Sequence, residues 1–348
     1  MAKRIVGIDI GSTSVRAVEI EGATRARPTI VRIHEVPLPS GSARSGEVIE
    51  THTVASALKR LWSTGGFKSK DVVLGMGNQR VIARDLVMPK MSLTQIREAL
   101  PFQVQDMLPM AVAEALLDFY PISESEGESG PVVNGLLVAA VKQSVLANVD
   151  AAVLAGLRPV EVDLIPFALS RALLPTSSST ATVALVHVGA VTTSMIVANR
   201  GIPQFVRIIP SGGDDITAAL SSRLDIDTEN AEQIKRAFGL NPEAAGPEWR
   251  PAIEVIRDVS SDLLGSLRNT INFYINTRPS DPITATVLSG GGSQLPGFAA
   301  ALQEITRIQV VDSDPFERFT IAKSVDRSLL DASKRSIAVA LGLTLGAK

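Results

Sequence analysis

The sequence predicts an α/β protein of two lobes related by duplication, set around a cleft, with a smaller α+β module inserted into the first lobe. Three observations predict it. Ile5-Val6-Gly7-Ile8-Asp9-Ile10-Gly11-Ser12-Thr13-Ser14 is echoed by Val183-Ala184-Leu185-Val186-His187-Val188-Gly189-Ala190-Val191-Thr192, in each case an apolar strand ending at glycine and a small turn before a second strand. Residues 81–164 read β-α-β-β-α-β, the order of a self-contained module. Two further glycine runs, at 211–213 and 289–293, follow apolar strands in the second half.

The chain has 348 residues, 45% of them hydrophobic, and a formal net charge of −2. That is enough chain for two cores. The even charge balance and the lack of a basic stripe exclude nucleic acid as the expected partner. There are no cysteines, so disulfides and thiolate metal sites are excluded and a reducing compartment is expected. The three histidines, His34, His52 and His187, are too scattered in sequence to suggest a metal site. No apolar run reaches the ~18 residues of a membrane span, and Met1-Ala2-Lys3-Arg4 leads into no signal-peptide core. A cytoplasmic protein is expected, recruited to a membrane by a partner and not inserted in it.

In chain order, two strands flank a turn at 11–14, and a third at 30–36 is ended by Pro37 and Pro39. A Gly/Ser loop (40–46), a helix (54–62, closed by Gly65-Gly66) and a buried strand (72–76) follow. In the module, a strand at 81–88 stops at Pro89, and Ser92 with Gln95 forms a capping-box pattern opening a helix. A strand at 115–120 leads to an acidic loop tip (123–130). A strand at 132–141, a helix at 144–155 ending at Gly156 and a strand at 160–164 complete it. Beyond a helix at 166–174 and a Ser/Thr-rich hinge at 176–180, the second half reads as a hairpin (183–188, 192–198), a strand (204–209) and helices at 214–224 and 229–238. A loop (241–251), a helix (254–276), a strand (284–288) and a closing helix (336–345) complete the chain.

The chemistry of the repeat is phosphate binding. A turn of Gly, Ser and Thr presents backbone N–H groups and hydroxyls with no bulky side chain in the way. Two such turns facing each other would clasp a polyphosphate from both sides. The candidates are Gly11, Ser12, Thr13, Ser14 and Arg16 in the first hairpin, and Gly189, Thr192 and Thr193 in the second. Gly212, Gly213 and Asp214 precede a helix that Asp214 or Asp215 would cap. The run Gly290, Gly291, Gly292 and Ser293 lets backbone lie flat against a ligand. Asp9, ending the first strand, is placed to hold Mg²⁺ through water.

These residues resemble the actin, Hsp70 and sugar-kinase superfamily. Residues 8–14 resemble its first phosphate motif, 187–193 its second, 288–293 its adenosine motif and 338–342 its closing connecting helix. Arg207, Ile209, Pro210 and 212–217 resemble a connecting motif of one branch. Nearly the whole chain resembles the PilM family of type IV pilus assembly, with the division actin FtsA as a relative. That likeness is carried by total length, the inserted module, Leu86-Val87-Met88-Pro89, Ala155-Gly156-Leu157 and Ala231-Glu232-Gln233-Ile234-Lys235. It implies actin-like, ribonuclease-H-like duplicated lobes around a nucleotide cleft. Residues 1–78, 165–180 and 336–348 would form the first lobe (1A), 79–164 the inserted subdomain (1C-like) and 181–335 the second lobe (2A/2B). It implies ATP with Mg²⁺ as ligand and Glu232 and Lys235 near the ribose or base. The partner it implies is the N-terminal tail of a PilN-like inner-membrane protein, with indirect ties to the assembly ATPases and room for a homo-oligomer. Leu86, Val87, Met88 and Phe102 are either core or the lining of a peptide groove.

One position departs from the pattern. The family expects an acid at the second phosphate motif, and the chain has His187. A neutral imidazole is a poor partner for magnesium-bound water. The expectation is therefore an ATP-loaded adaptor with slow or absent turnover. The alternatives are a small-molecule kinase, for which Asp163 offers a base, and an FtsA-like division filament, which would carry a C-terminal amphipathic membrane helix.

Overall fold

The structure, a computed structural model, describes residues 3–44, 46–174, 181–241 and 246–346. The hinge read at 176–180 lies outside the described residues. The chain runs β1 (Arg4–Ile10), β2 (Ser14–Glu21), β3 (Thr29–Pro37), a short ribbon of β4 (Ala43–Arg44) and β5 (Glu47–Val48), α1 (Thr51–Gly65) and β6 (Asp71–Met76). It continues with β7 (Ile82–Pro89), α2 (Leu93–Gln103), β8 (Ala115–Gly127), β9 (Gly130–Val141), α3 (Lys142–Leu154), β10 (Arg158–Leu164) and α4 (Ile165–Leu173). The second half holds β11 (Thr182–Val188), β12 (Thr193–Asn199), β13 (Ile202–Ile209), α5 (Gly213–Leu224), α6 (Thr228–Phe238) and α7 (Arg250–Thr277). Then come β14 (Ile283–Ser289), α8 (Phe298–Thr306), β15 (Val310–Val311), β16 (Thr320–Ile321), α9 (Arg327–Ser333) and α10 (Ala338–Thr344).

The repeat is present in three dimensions. One sheet is ordered β10-β6-β1-β2-β3-β16 and the other β13-β12-β11-β14-β15. In each, an antiparallel leading hairpin has a third antiparallel strand on one side and two parallel strands on the other. Ile10 stands opposite Val15 and Val188 opposite Thr193. Each turn is closed by the same bond: Gly11 N–H donates to the Ser14 carbonyl and Gly189 N–H to the Thr192 carbonyl, both at 2.9 Å.

Packing arranges these sheets in layers. The buried faces of β1, β2 and β6 meet those of β11 and β12 through α4 and α10, which lie between them with Ala168, Leu169, Ala340 and Leu341 fully buried. Helices α1 and α3 cover the outer face of the first sheet, and α5, α7 and α8 that of the second. A Cβ on Gly7 would fall 2.1 Å from the Ala340 carbonyl oxygen, so only glycine lets α10 lie this close to β1.

The inserted region differs from its sequence reading in two ways. Its sheet has three strands, β7-β9-β8, with α2 packed on one face over Met88, Phe119 and Leu137. Of the elements grouped with it, the helix at 144–155 packs with α1 on the first sheet, and the strand at 160–164 pairs parallel with β6 in that sheet. The acidic segment expected as a loop tip is strand: β8 runs to Gly127, with Ser123 opposite Asn134 and Ser125 opposite Val132. Pairing with β9, a hydrogen bond from Asn134 Nδ2 to Ser125 Oγ (2.8 Å) and a Lys90–Glu124 ion pair hold it extended despite its polar composition. The capping box is present: Gln95 N–H donates to Ser92 Oγ at 3.3 Å and Ser92 N–H to Gln95 Oε1 at 3.0 Å.

Candidate functional site

The cleft-facing end of the first sheet is a row of three charges set by strand register. Asp9 lies opposite Arg16, and Arg16 opposite Glu35. Arg16 Nη1 stands 3.4 Å from Asp9 Oδ2, and Nη2 stands 3.1 Å from Glu35 Oε1. Burial raises the Asp9 carboxyl above its usual range, with Arg16 opposing that shift. Two polar atoms here are buried without a hydrogen-bond partner, Arg16 Nε and Ser14 Oγ. Such groups cost free energy unless something satisfies them.

The equivalent row of the second sheet carries no charge. Ser289, His187, Ser194 and Ile208 stand side by side. His187 Nδ1 lies 3.2 Å from Ser289 Oγ. Burial, and then the positive field of Arg16 across the cleft, push the imidazole down to about 4, so it is neutral at pH 7.

The glycine runs close in on the second hairpin. Gly213 N–H donates to the Gly189 carbonyl (2.9 Å) and Asp214 N–H to that of Ala190 (2.7 Å), which stitches the start of α5 to the turn. Neither Asp214 nor Asp215 is the N-cap, which is Gly212; Asp215, in the first turn, reaches back to accept from Gly212 N–H at 3.1 Å and from the Ser211 hydroxyl at 2.7 Å. Gly290 has φ +89°, and a Cβ there would lie 2.3 Å from the Val188 carbonyl oxygen; a Cβ on Gly291 would meet open space. Gly292 and Lys235 both approach Gly213. Lys235 is buried and donates to the Gly213 carbonyl (3.0 Å) and the Thr217 hydroxyl (2.8 Å), and it pairs with Glu232 at 2.5 Å. Partial desolvation raises Asp214 beside them, with Lys235 opposing.

The sequence candidates thus fall into two facing sets. Asp9, Gly11, Ser12, Thr13, Ser14 and Arg16 belong to one hairpin. Gly189, Thr192, Gly212, Gly213, Asp214, Glu232, Lys235 and Gly290–Gly292 gather round the other. Thr193 and Ser293 are struts: both are buried, and their hydroxyls donate to the carbonyls of Ser211 and Gly290, each at 2.8 Å. Sequence reasoning missed Glu35 and took in Thr217 and Ser289 only as members of the motifs at 212–217 and 288–293, because their parts depend on cross-strand or interhelical neighbours. Asp163, the candidate kinase base, is spent: Arg171 pairs with it and Leu164 N–H donates to it.

The donor chemistry tests the expected ligands. Nε of arginine only donates, and a serine hydroxyl readily does, so the unmet need beside the first turn is for an acceptor oxygen. A phosphate supplies that. Magnesium does not, and Asp9, expected to hold it, is engaged by Arg16. Among the described residues no three Asp, Glu, His or Cys side chains gather to hold a metal. The described residues do not compose a magnesium site of their own.

A family model described as type IV pilus assembly protein PilM matches residues 7–348. The chain belongs to the PilM family. Its fold is similar to that of the solved PilM–PilN type IV pilus biogenesis complex, with 27% identity and a TM-score of 0.84 over 98% of this chain and 97% of that one. It is 24% identical to the cell division protein FtsA of Pseudomonas aeruginosa over 88% of this chain and 82% of that protein. FtsA of Bacillus subtilis is also 24% identical, over 67% of this chain and 58% of the FtsA length. MreB5 of Spiroplasma citri, solved with AMPPNP, shares the actin-like fold at 10% identity, with a TM-score of 0.58 over 98% of this chain and 95% of that chain. Among the described residues no helix is long and apolar enough to cross a membrane. In the inserted module Met88 is core, while Val87 and Phe102 are 57% and 83% exposed.

Proposed function

We propose that this PilM-family chain is an ATP-binding adaptor of the type IV pilus assembly platform, peripheral to the inner membrane, that holds the N-terminal tail of a PilN-like protein. The observation that carries the reading is the likeness along nearly the whole chain to a PilM solved in complex with PilN. The cleft supports the nucleotide half of it. Two turns of equivalent geometry are built of small residues, Arg16 Nε and Ser14 Oγ await an acceptor, and Gly291, opening a 3₁₀ turn (Gly291–Gln294), leaves open space where a side chain would stand. In this reading the hairpin turns and Arg16 hold the phosphates, and Glu232 and Lys235 flank the ribose or base.

Turnover is slow in this reading. Water attacking a terminal phosphate needs a group to orient and polarise it. The second hairpin offers a neutral His187 tied to Ser289, and Asp163 is paired with Arg171. Two titrations of the purified chain test the proposal, one calorimetric with ATP and one with a synthetic peptide of the N-terminal tail of the PilN of the same organism. Micromolar binding of both, with little ADP after long incubation, is expected. Failure to bind the peptide would remove the adaptor role, and sustained ADP release would restore an enzyme.

A further inference from the structure

The two hairpins are equivalent in backbone and opposite in charge chemistry. Where the first sheet sets Asp9, Arg16 and Glu35 in a row, the second sets Ser289, His187, Ser194 and Ile208. A nucleoside triphosphate in an actin-like cleft brings about four negative charges at pH 7, and something must neutralise them. Mg²⁺ is held by one or two carboxylates besides the phosphates, keeps near-ideal octahedral geometry and loses water reluctantly. Here it would find two carboxylates, Asp9 and Glu35, both already paired with the Arg16 guanidinium, and a chargeless second strand end.

The guanidinium is the better-placed cation. Its planar fork of five donors matches phosphate oxygens in pairs, and its charge is permanent. Glu35, at 3.1 Å, steadies it on the side away from Asp9. Its Nη1 would lie 3.4 Å from a Cβ on Gly11, so the group borders the first turn itself. The atom still lacking a partner is its Nε, with Ser14 Oγ close by in sequence. Both can give a hydrogen bond to an anionic oxygen, and Nε has nothing to offer a metal ion.

We propose that Arg16 takes the place of the divalent cation, so that this chain binds its nucleoside triphosphate without needing Mg²⁺. The inference rests on the nucleotide reading of the cleft and specifies how that cleft neutralises its ligand. It also assigns a consequence to His187: the second strand end is kept free of charge because no hydrated metal ion sits against it.

The test is calorimetric titration of the full-length protein with ATP in buffer containing excess EDTA and again in excess MgCl₂. The wild type is expected to give dissociation constants agreeing within about threefold. Arg16→Ala is expected to lose at least ~10-fold in affinity in EDTA and to recover part of it in MgCl₂. His187→Asp puts a carboxylate on the second strand end and is expected to bind at least ~10-fold more tightly in MgCl₂ than in EDTA. Thermal unfolding of each variant checks that it is folded, and the wild-type comparison needs no variant at all. Wild-type binding ~10-fold tighter with magnesium overturns the inference and leaves the nucleotide reading standing. Absence of binding in both buffers removes that reading, and the inference with it.

Discussion

At the scale of single residues, His187 ties the site to stability. Its imidazole is pushed down to about 4 from an ordinary 6.5, first by burial and then by Arg16. The folded state therefore binds fewer protons than the unfolded state between pH 6.5 and 4. Stability is unaffected by this group above 6.5, falls as pH drops through that window, and levels off below it. The shift corresponds to at most about 3 kcal/mol, and partial exposure of the residue brings the expected loss nearer about 2 kcal/mol. Asp9, raised by burial, acts in the opposite sense, adding stability as pH falls towards the ordinary carboxylate range. The informative quantity is thus a difference. Denaturant unfolding of His187→Gln should lose less stability than wild type between pH 7 and pH 4.5, and parallel curves would mean the imidazole protonates in the fold. The Asp9–Arg16 pair was within reach of the sequence: once the turn sets Ile10 opposite Val15, counting back one residue on each strand pairs them. Glu35 was not, because its place needs the register of β3, which slips by one residue between Glu19 and Ile20.

At the scale of elements, α10 shows how closely the two sheets are joined. It lies against β1 and α4, and a Cβ on Gly342 would fall 1.8 Å from the Ala168 carbonyl oxygen. That neighbour is helix backbone and cannot give way. Gly342→Ala should therefore destabilise by about 3 kcal/mol, although alanine is the better helix former in isolation. A midpoint shift in urea without change of slope would bear this out, and an unchanged midpoint would mean α10 can slide. The elements legible in the sequence were those with a local signature. The paired hairpins carry β-branched runs ended by glycine, α2 carries its Ser92–Gln95 box, and the closing helix carries small residues. What escaped depends on distant partners. The end of β8 is serine and glutamate, and only apolar β9 beside it makes it strand. β10 reads as the last strand of the inserted module, yet its partner is β6, more than eighty residues earlier. β15 and β16 have two residues each, too few for any period, and seven-residue α9 is little longer.

At the scale of the molecule, the inserted sheet bears on both lobes. One face of β7-β9-β8 carries α2. The other meets α4 of the first lobe, where Tyr120 stacks on Phe167 at 4.5 Å between ring centroids, and it approaches β13 of the second. Arg278, just past α7, reaches both carboxylate oxygens of Asp85 on β7, at 2.9 and 2.8 Å, with its guanidinium 5.2 Å from the Tyr274 ring centroid. Asp85 is largely exposed, so the pair is worth about 0.5 kcal/mol to global stability. Its effect on local opening is expected to be larger in proportion, because it is an anchor between β7 and an element outside the inserted sheet. Asp85→Ala should leave the unfolding midpoint nearly unchanged and speed amide exchange over 82–89 by about threefold, while exchange in α2 stays as it was. If ATP draws the second lobe towards the first, adding it to the wild type should slow exchange in the same strand, and adding it to Asp85→Ala should slow it less. Equal protection in both proteins would mean that β7 responds to nucleotide through α4 alone, and that the ion pair is only a surface contact.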